Sequence, residues 1–281
     1  MDTLSYTISR GDEIRSLFDA SGLCLEIGPS YDPLLPRAMG HAVETVDYMD
    51  AAGLRAKYAT NPNIDLTKIE EVTHIWRGEP LSQLVGEGQF DVVVASHVIE
   101  HTPDMLGFLR ECEKTLTPTG QLVLVVPDRR RCFDFFRPAS TTGSVLQAHF
   151  EGRTQHSPGS AFDFVANYAE LEPPSPDVPA GRFTLPNHVT AAMNACHRFR
   201  NASGYEDCHA WVFTPSSFRL ITSDLNAMEI LALREAGFWA TPIFEFVTIL
   251  SRTGAGCPLD RPALLAAAHR EAADPVAPAP A

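Results

Sequence analysis

Positive charge is what this chain of 281 residues has least of. Its formal net charge is −13, and its few lysines, Lys57, Lys68 and Lys114, are outnumbered by scattered arginines. That speaks against a nucleic-acid partner, whose phosphates demand a basic face. Long apolar runs are missing as well, since none approaches the ~20 residues that a membrane-crossing helix needs. The first residues, MDTLSYTISRGDEIR, carry no basic segment leading into an apolar one, so a cytoplasmic protein with no membrane partner is expected. No C-x-x-C pair occurs among Cys24, Cys112, Cys132, Cys196, Cys208 and Cys257, which excludes a disulfide framework and a ribbon-type zinc site. The thiols read as reduced and mostly buried. The pairs Cys196-His197 and Cys208-His209 fit no common zinc spacing, and no ligand spacing favours a metal at Asp128, Asp163, Asp177 or Asp207, so none is expected.

The glycine-rich G-x-G-x-x-G of dinucleotide folds is also absent. Where it would lie, the apolar run Leu23, Cys24, Leu25 and Ile27 breaks at Gly28-Pro29-Ser30, with Ser30 at the second glycine position and Leu35 near the third. A buried parallel strand entering a tight turn against a ligand has this pattern. A diphosphate fits poorly, and the carboxylate of Glu26, pointing to the same crevice, would repel phosphate and welcome an ammonium or sulfonium. About 20 residues on, Asp47 ends the next apolar run, followed by Tyr48; an acid there accepts hydrogen bonds from a ribose diol.

Further strands read at 72–76, 91–96 and 121–126. A helix with one apolar face, carried by Leu106, Leu109, Cys112 and Leu116, is stopped by Pro118 and Gly120. A shorter helix reads at 12–20, and 53–60 reads as a loop or helix turn. Alternating strands and helices mean an α/β fold with a parallel, doubly wound sheet and right-handed crossovers. From 133 to 212 the periodicity dissolves into aromatics, histidines and a proline-rich run, which reads as a helical or irregular lid inserted over the carboxyl ends of the strands. A helix start at Thr214-Pro215-Ser216 resumes the core, and 229–234 and 243–251 read as strands. The expected units are a core of 1–132 with 213–257, a substrate lid of 133–212 and a tail of 258–281 disordered at its extremity.

Glu-x-Gly at the first turn, an acid after the second strand and FDVVVASHVIEH at the fourth together resemble the class I S-adenosylmethionine-dependent methyltransferases. PDRRRCFDFFRP and CHAWVFTPSSF resemble a bacterial subgroup of small methyltransferases often met beside glycosyltransferases. The resemblance implies a Rossmann-like seven-stranded sheet whose last strands make an antiparallel hairpin, with S-adenosyl-L-methionine as cofactor. It places Glu26, Gly28, Ser96 and His97 near the methionine part, Asp47 at the ribose, Pro29, Ser30 and Tyr48 also at the cofactor, and Glu79 at the adenine, unless Glu79-Pro80 is a surface turn.

The implied reaction is in-line O- or N-methyl transfer to a small molecule or sugar unit. Positioning dominates such a reaction, and a base matters only when the nucleophile holds a proton. His209, just before the helix that re-enters the core, is the preferred base, with His97 as its rival; His101 reads as a brace. Asp128 and the run Arg129-Arg130-Arg131 stand at the mouth, and if the arginines face it the acceptor is anionic; otherwise they are a solvated surface run. Use of the cofactor for another transfer or a cyclisation, and a cofactor-binding regulatory subunit without catalysis, are the rivals. The oligomeric state is not legible.

Overall fold

The computed structural model describes residues 9–172, 182–241 and 243–273. Helix α1 (Arg10–Arg15) leads into strand β1 (Cys24–Ile27), then β2 (Val43–Asp47), α2 (Ala51–Tyr58), β3 (His74–Ile75), α3 (Leu81–Val85), β4 (Phe90–Ser96), α4 (Met105–Thr115) and β5 (Leu116–Pro127). After α5 (Thr142–Phe150) and α6 (Pro158–Ala166) come the short strands β6 (Glu170–Glu172) and β7 (Arg182–Thr184), then α7 (Val189–Arg200), α8 (Pro215–Ala227), β8 (Arg234–Ala240), β9 (Glu245–Ser251) and α9 (Arg261–Ala273). The main sheet has seven strands in the order β3-β2-β1-β4-β5-β9-β8, parallel from β3 to β5, with β9 antiparallel to both neighbours. The doubly wound sheet and its antiparallel ending are as the sequence implied. Strand order reverses at β1, so the crevice lies between the carboxyl ends of β1 and β4.

The central strands are apolar on both faces because helices cover both. All four residues of β1 are buried, and β4 contributes Val92, Val93, Val94 and Ala95 to the interior. Helix α4 starts where Asp104 accepts from the Gly107 N–H at 2.9 Å, and it buries Met105, Leu106, Phe108, Leu109 and Cys112. The chain between β5 and α8 holds helices, as expected. Its return runs beside the end of β5, where Arg129 N–H donates to the Phe213 carbonyl at 2.8 Å.

Several boundaries differ from the sequence reading. Residues 229–233 are not a strand: the apolar run is a buried link below α8, with Leu231 and Leu233 in the core, and strand β8 follows at Arg234 with a bulge between Glu235 and Gly237. A short apolar run has the same composition in either state. Pro118 and Gly120 do not end α4 but lie inside β5, in an extra loop between the pairs Phe90–Leu116 and Val92–Gln121. Residues 51–58 are a full helix, capped by Asp50 accepting from Gly53 N–H at 2.8 Å, and α1 is shorter than read. In the tail, α9 packs on α8, where buried Glu271 accepts from Ser216 N–H at 3.0 Å and Ser216 Oγ at 2.8 Å. The expected disorder of the extremity falls outside the described residues, as do Asp177 and most of the proline-rich run. No helix among the described residues is long and apolar enough to cross a membrane.

Candidate active site at the carboxyl ends of the strands

The turn after β1 folds tightly against the turn after β4. Gly28 has φ +66°, and a Cβ there would lie 2.8 Å from Val98 Cγ2, so only glycine fits this approach. Ser30 also adopts a left-handed conformation at φ +50°. Its N–H donates to Asp47 Oδ2 at 3.1 Å, and Tyr48 N–H donates to Asp47 Oδ1 at 2.8 Å. Burial raises the Asp47 pKa against those two donors. Each of its oxygens keeps a lone pair for a ligand diol, and half-exposed Tyr48 follows at the rim. These residues, with Pro29 between them, fit the nucleoside half of the implied cofactor.

Two sequence expectations, those for Glu26 and Asp128, are corrected. Glu26 does not present its carboxylate to the crevice: Oε1 accepts from Leu34 N–H at 2.6 Å and Oε2 from Leu35 N–H at 2.9 Å, so it anchors the loop from beneath. Burial pushes its pKa up to about 7 against those bonds. The Glu79 carboxylate accepts from Arg77 N–H at 2.9 Å and its carbonyl from Trp76 Nε1 at 2.7 Å, which closes the turn after β3. Asp128 is buried in an ion pair with Arg130 at 2.6 Å and cannot orient an acceptor with a free carboxylate. Nor are the arginines all solvated: Arg131 is exposed, but Arg130 is buried and Arg129 Nη1 donates to the Arg137 carbonyl at 2.9 Å. The Nε atoms of Arg129 and Arg137 are buried without a hydrogen-bond partner among the described residues.

At the end of β4, Ser96 Oγ accepts from Arg10 Nη2 at 3.2 Å, and His97 turns at φ +54°. His97 Nε2 lies 2.7 Å from Glu245 Oε2 at the start of β9, and its Nδ1 lies 3.5 Å from Glu100 Oε1. Arg10 bonds the same Glu245 at 2.6 and 2.7 Å. Burial opposes charge on His97, but the carboxylates of Glu100 and Glu245 outweigh it and push the pKa up to about 9. Burial likewise works against Glu245, yet His97 and Arg10 hold it down at about 2. The carboxylates on both sides favour the protonated ring of His97, which works against a role as base.

Beyond it, the HVIEH turn aims Glu100 and His101 toward the returning chain. Ala210 N–H donates to the Glu100 carbonyl at 2.8 Å, and Trp211 Nε1 donates to the Thr102 carbonyl at 2.6 Å, which brings His209 alongside. The rings of His101 and His209 meet edge to face at 4.6 Å between centroids. His209 is 6% exposed, its Nδ1 lies 2.5 Å from Asp134 Oδ2, and Asp134 is held by Arg137 at 2.6 Å. His101 Nδ1 lies 2.7 Å from Asp207 Oδ1. Glu100, Asp134, Asp207 and Glu245 were not assigned from sequence. The spacing Asp207-Cys208-His209 and the acid inside HVIEH were the local signals, while Asp134 and Glu245 meet their histidines from distant segments.

The description "Methyltransferase domain" belongs to the family whose profile matches residues 9–221. Among solved structures, an S-adenosylmethionine-dependent methyltransferase from Aquifex aeolicus is similar with a TM-score of 0.44 and 10% identity, over 86% of this chain and 88% of that one. The CcbJ methyltransferase from Streptomyces caelestis gives 0.43 and 13%, over 86% and 93%. A Burkholderia thailandensis 1,6-didemethyltoxoflavin N1-methyltransferase gives 0.41 and 12%, over 85% and 75%. Squalestatin hexaketide synthase from Phoma sp. is 41% identical over 46 residues, a stretch that is 16% of this chain and 2% of that protein. With residues 9–221 matched on a sheet of this order, the chain belongs to the methyltransferase-domain family.

Proposed function

We propose that the chain methylates an oxygen or nitrogen of a small molecule or sugar unit, and that the acceptor enters between the sheet's carboxyl edge and the 133–212 lid. The core of 1–132 with 213–257 would bind the cofactor through Gly28, Pro29, Ser30, Asp47, Tyr48 and the end of β4 at Ser96. Bound there, the cofactor supplies an electrophilic methyl group on a sulfonium. The chain's own task is chiefly positioning, which supplies ~7–11 kcal/mol in favourable cases.

The observation that carries the acceptor reading is the pairing of His209 with Asp134 under the returning chain. Asp134 fixes Nδ1, so Nε2 is the nitrogen offered to the pocket beside Glu100 and His101. Of the two histidines named from sequence, His209 serves the acceptor and His97 braces the turn. Incubating the chain with methyl-labelled cofactor and a panel of acidic and neutral hydroxylated acceptors tests this. Labelled product that vanishes in His209→Ala, with cofactor affinity kept, supports the reading; full turnover in that variant places the acceptor elsewhere.

A further inference from the structure

Glu100 is fully buried, and neither carboxylate oxygen has a hydrogen-bond partner among the described residues. A buried carboxylate needs positive charge close by, and His97 answers it from 3.5 Å without a hydrogen bond. The nearest charges, His97 Nδ1 at 3.5 Å and His101 Nε2 at 3.9 Å, are at ion-pair range and make no directed bond. One ligand atom each from Glu100, His101 and His209 lies within 4.8 Å of the others.

The two imidazoles are arranged alike. Each has its Nδ1 on a carboxylate, His101 on Asp207 at 2.7 Å and His209 on Asp134 at 2.5 Å, so in each ring Nε2 is the nitrogen left to meet a cation. Outer carboxylates of this kind orient metal-ligating histidines and raise their basicity. The outer acids are themselves held, Asp134 by Arg137 and Asp207 by the Tyr205 hydroxyl at 2.9 Å. We propose that Glu100, His101 Nε2 and His209 Nε2 bind a divalent first-row transition cation, whose remaining positions take an oxygen of the acceptor. Two imidazoles and one carboxylate suit zinc, manganese, cobalt or iron(II); magnesium and calcium take mostly oxygen ligands.

Tetrahedral donors around zinc sit roughly 3.3 Å apart at bond lengths of ~2.0–2.1 Å, so the three side chains close by roughly 1.5 Å at most. The inference rests on the acceptor reading above and deepens it: with the cation bound, His209 acts as a ligand, and the cation makes the acceptor hydroxyl acidic. Cysteine plays no part in it, in contrast to the pairings considered from sequence.

Chelator-treated protein, titrated calorimetrically with zinc and followed by visible absorption with cobalt(II), tests the site without an acceptor. One equivalent should bind, with cobalt bands of a low-coordinate nitrogen and oxygen site. His101→Ala, His209→Ala and Glu100→Gln should each remove it. Asp207→Asn, at an exposed residue that is not one of the three ligands, should weaken binding roughly 10–100-fold. No zinc or cobalt binding by folded wild-type protein, or equal binding in the three ligand variants, would overturn the site. If the site fails while labelled methyl transfer survives chelation, the acceptor reading stands with His209 as a direct base. If zinc binds as described and no acceptor is methylated with or without it, the acceptor reading fails while the ion site holds.

Discussion

Asp134 and His209 meet at 2.5 Å from Oδ2 to Nδ1, so the segment after β5 and the last residues before α8 share one buried polar unit. Asp134→Asn keeps an acceptor oxygen but loses the charge that fixes the imidazole. Turnover should fall roughly 10–100-fold, the usual cost of removing a carboxylate behind a working histidine, with cofactor affinity unchanged. Steady-state kinetics with calorimetry of cofactor binding checks both halves; wild-type turnover would detach Asp134 from the chemistry.

Asp47 ends β2 with one backbone donor on each oxygen. Asp47→Ala should weaken cofactor binding by roughly 1.5–3 kcal/mol, the range for hydrogen bonds to a charged group. An unchanged dissociation constant for S-adenosylhomocysteine would place the ribose away from this residue.

Gly28→Ala has two costs. The left-handed backbone at φ +66° disfavours a Cβ by about 1–2 kcal/mol, and that Cβ meets Val98. Thermal melts should show the loss, and adding Val98→Ala should recover only the steric part. Complete recovery in the double variant would mean that the backbone conformation carries no strain.

Glu26 binds its proton more tightly in the folded state, at about 7 against an ordinary 4.5, because burial disfavours its charge. Its contribution to stability is therefore fully present below pH 4.5 and lost as pH rises through about 7. In cofactor-free protein, urea midpoints should fall across that window, and Glu26→Gln should be less stable throughout but flatter with pH. A wild-type profile parallel to that of the variant would show that the carboxylate is already ionised at pH 5.

Helix α9 is attached to α8 through Glu271, whose carboxylate takes both polar groups of Ser216 at the α8 N-terminus. Glu271→Ala leaves two buried donors unmet, at roughly 1–3 kcal/mol. Denaturant unfolding should read that loss while cofactor affinity stays constant; a stability within 0.5 kcal/mol of wild type, the ordinary scatter of surface substitutions, would make the docking incidental.

The parallel core was legible from the chain itself because its signals are local. Leu23 to Ile27 and Val92 to Ala95 are apolar at every or nearly every position, which only a strand covered on both faces tolerates, and Gly28 marks a turn that no side chain enters. What escaped was set by pairings between distant segments. Glu26 reads as a carboxylate at a strand end, yet the backbone of Leu34 and Leu35 folds over it and claims both oxygens. His97 reads as a possible base, yet Glu100 and, from 148 residues later, Glu245 both push its pKa up. Residue type and spacing determined which groups stand at the carboxyl ends of the strands. The tertiary structure alone decided their protonation and their direction, because both depend on which charges and amides the returning chain brings within hydrogen-bond reach.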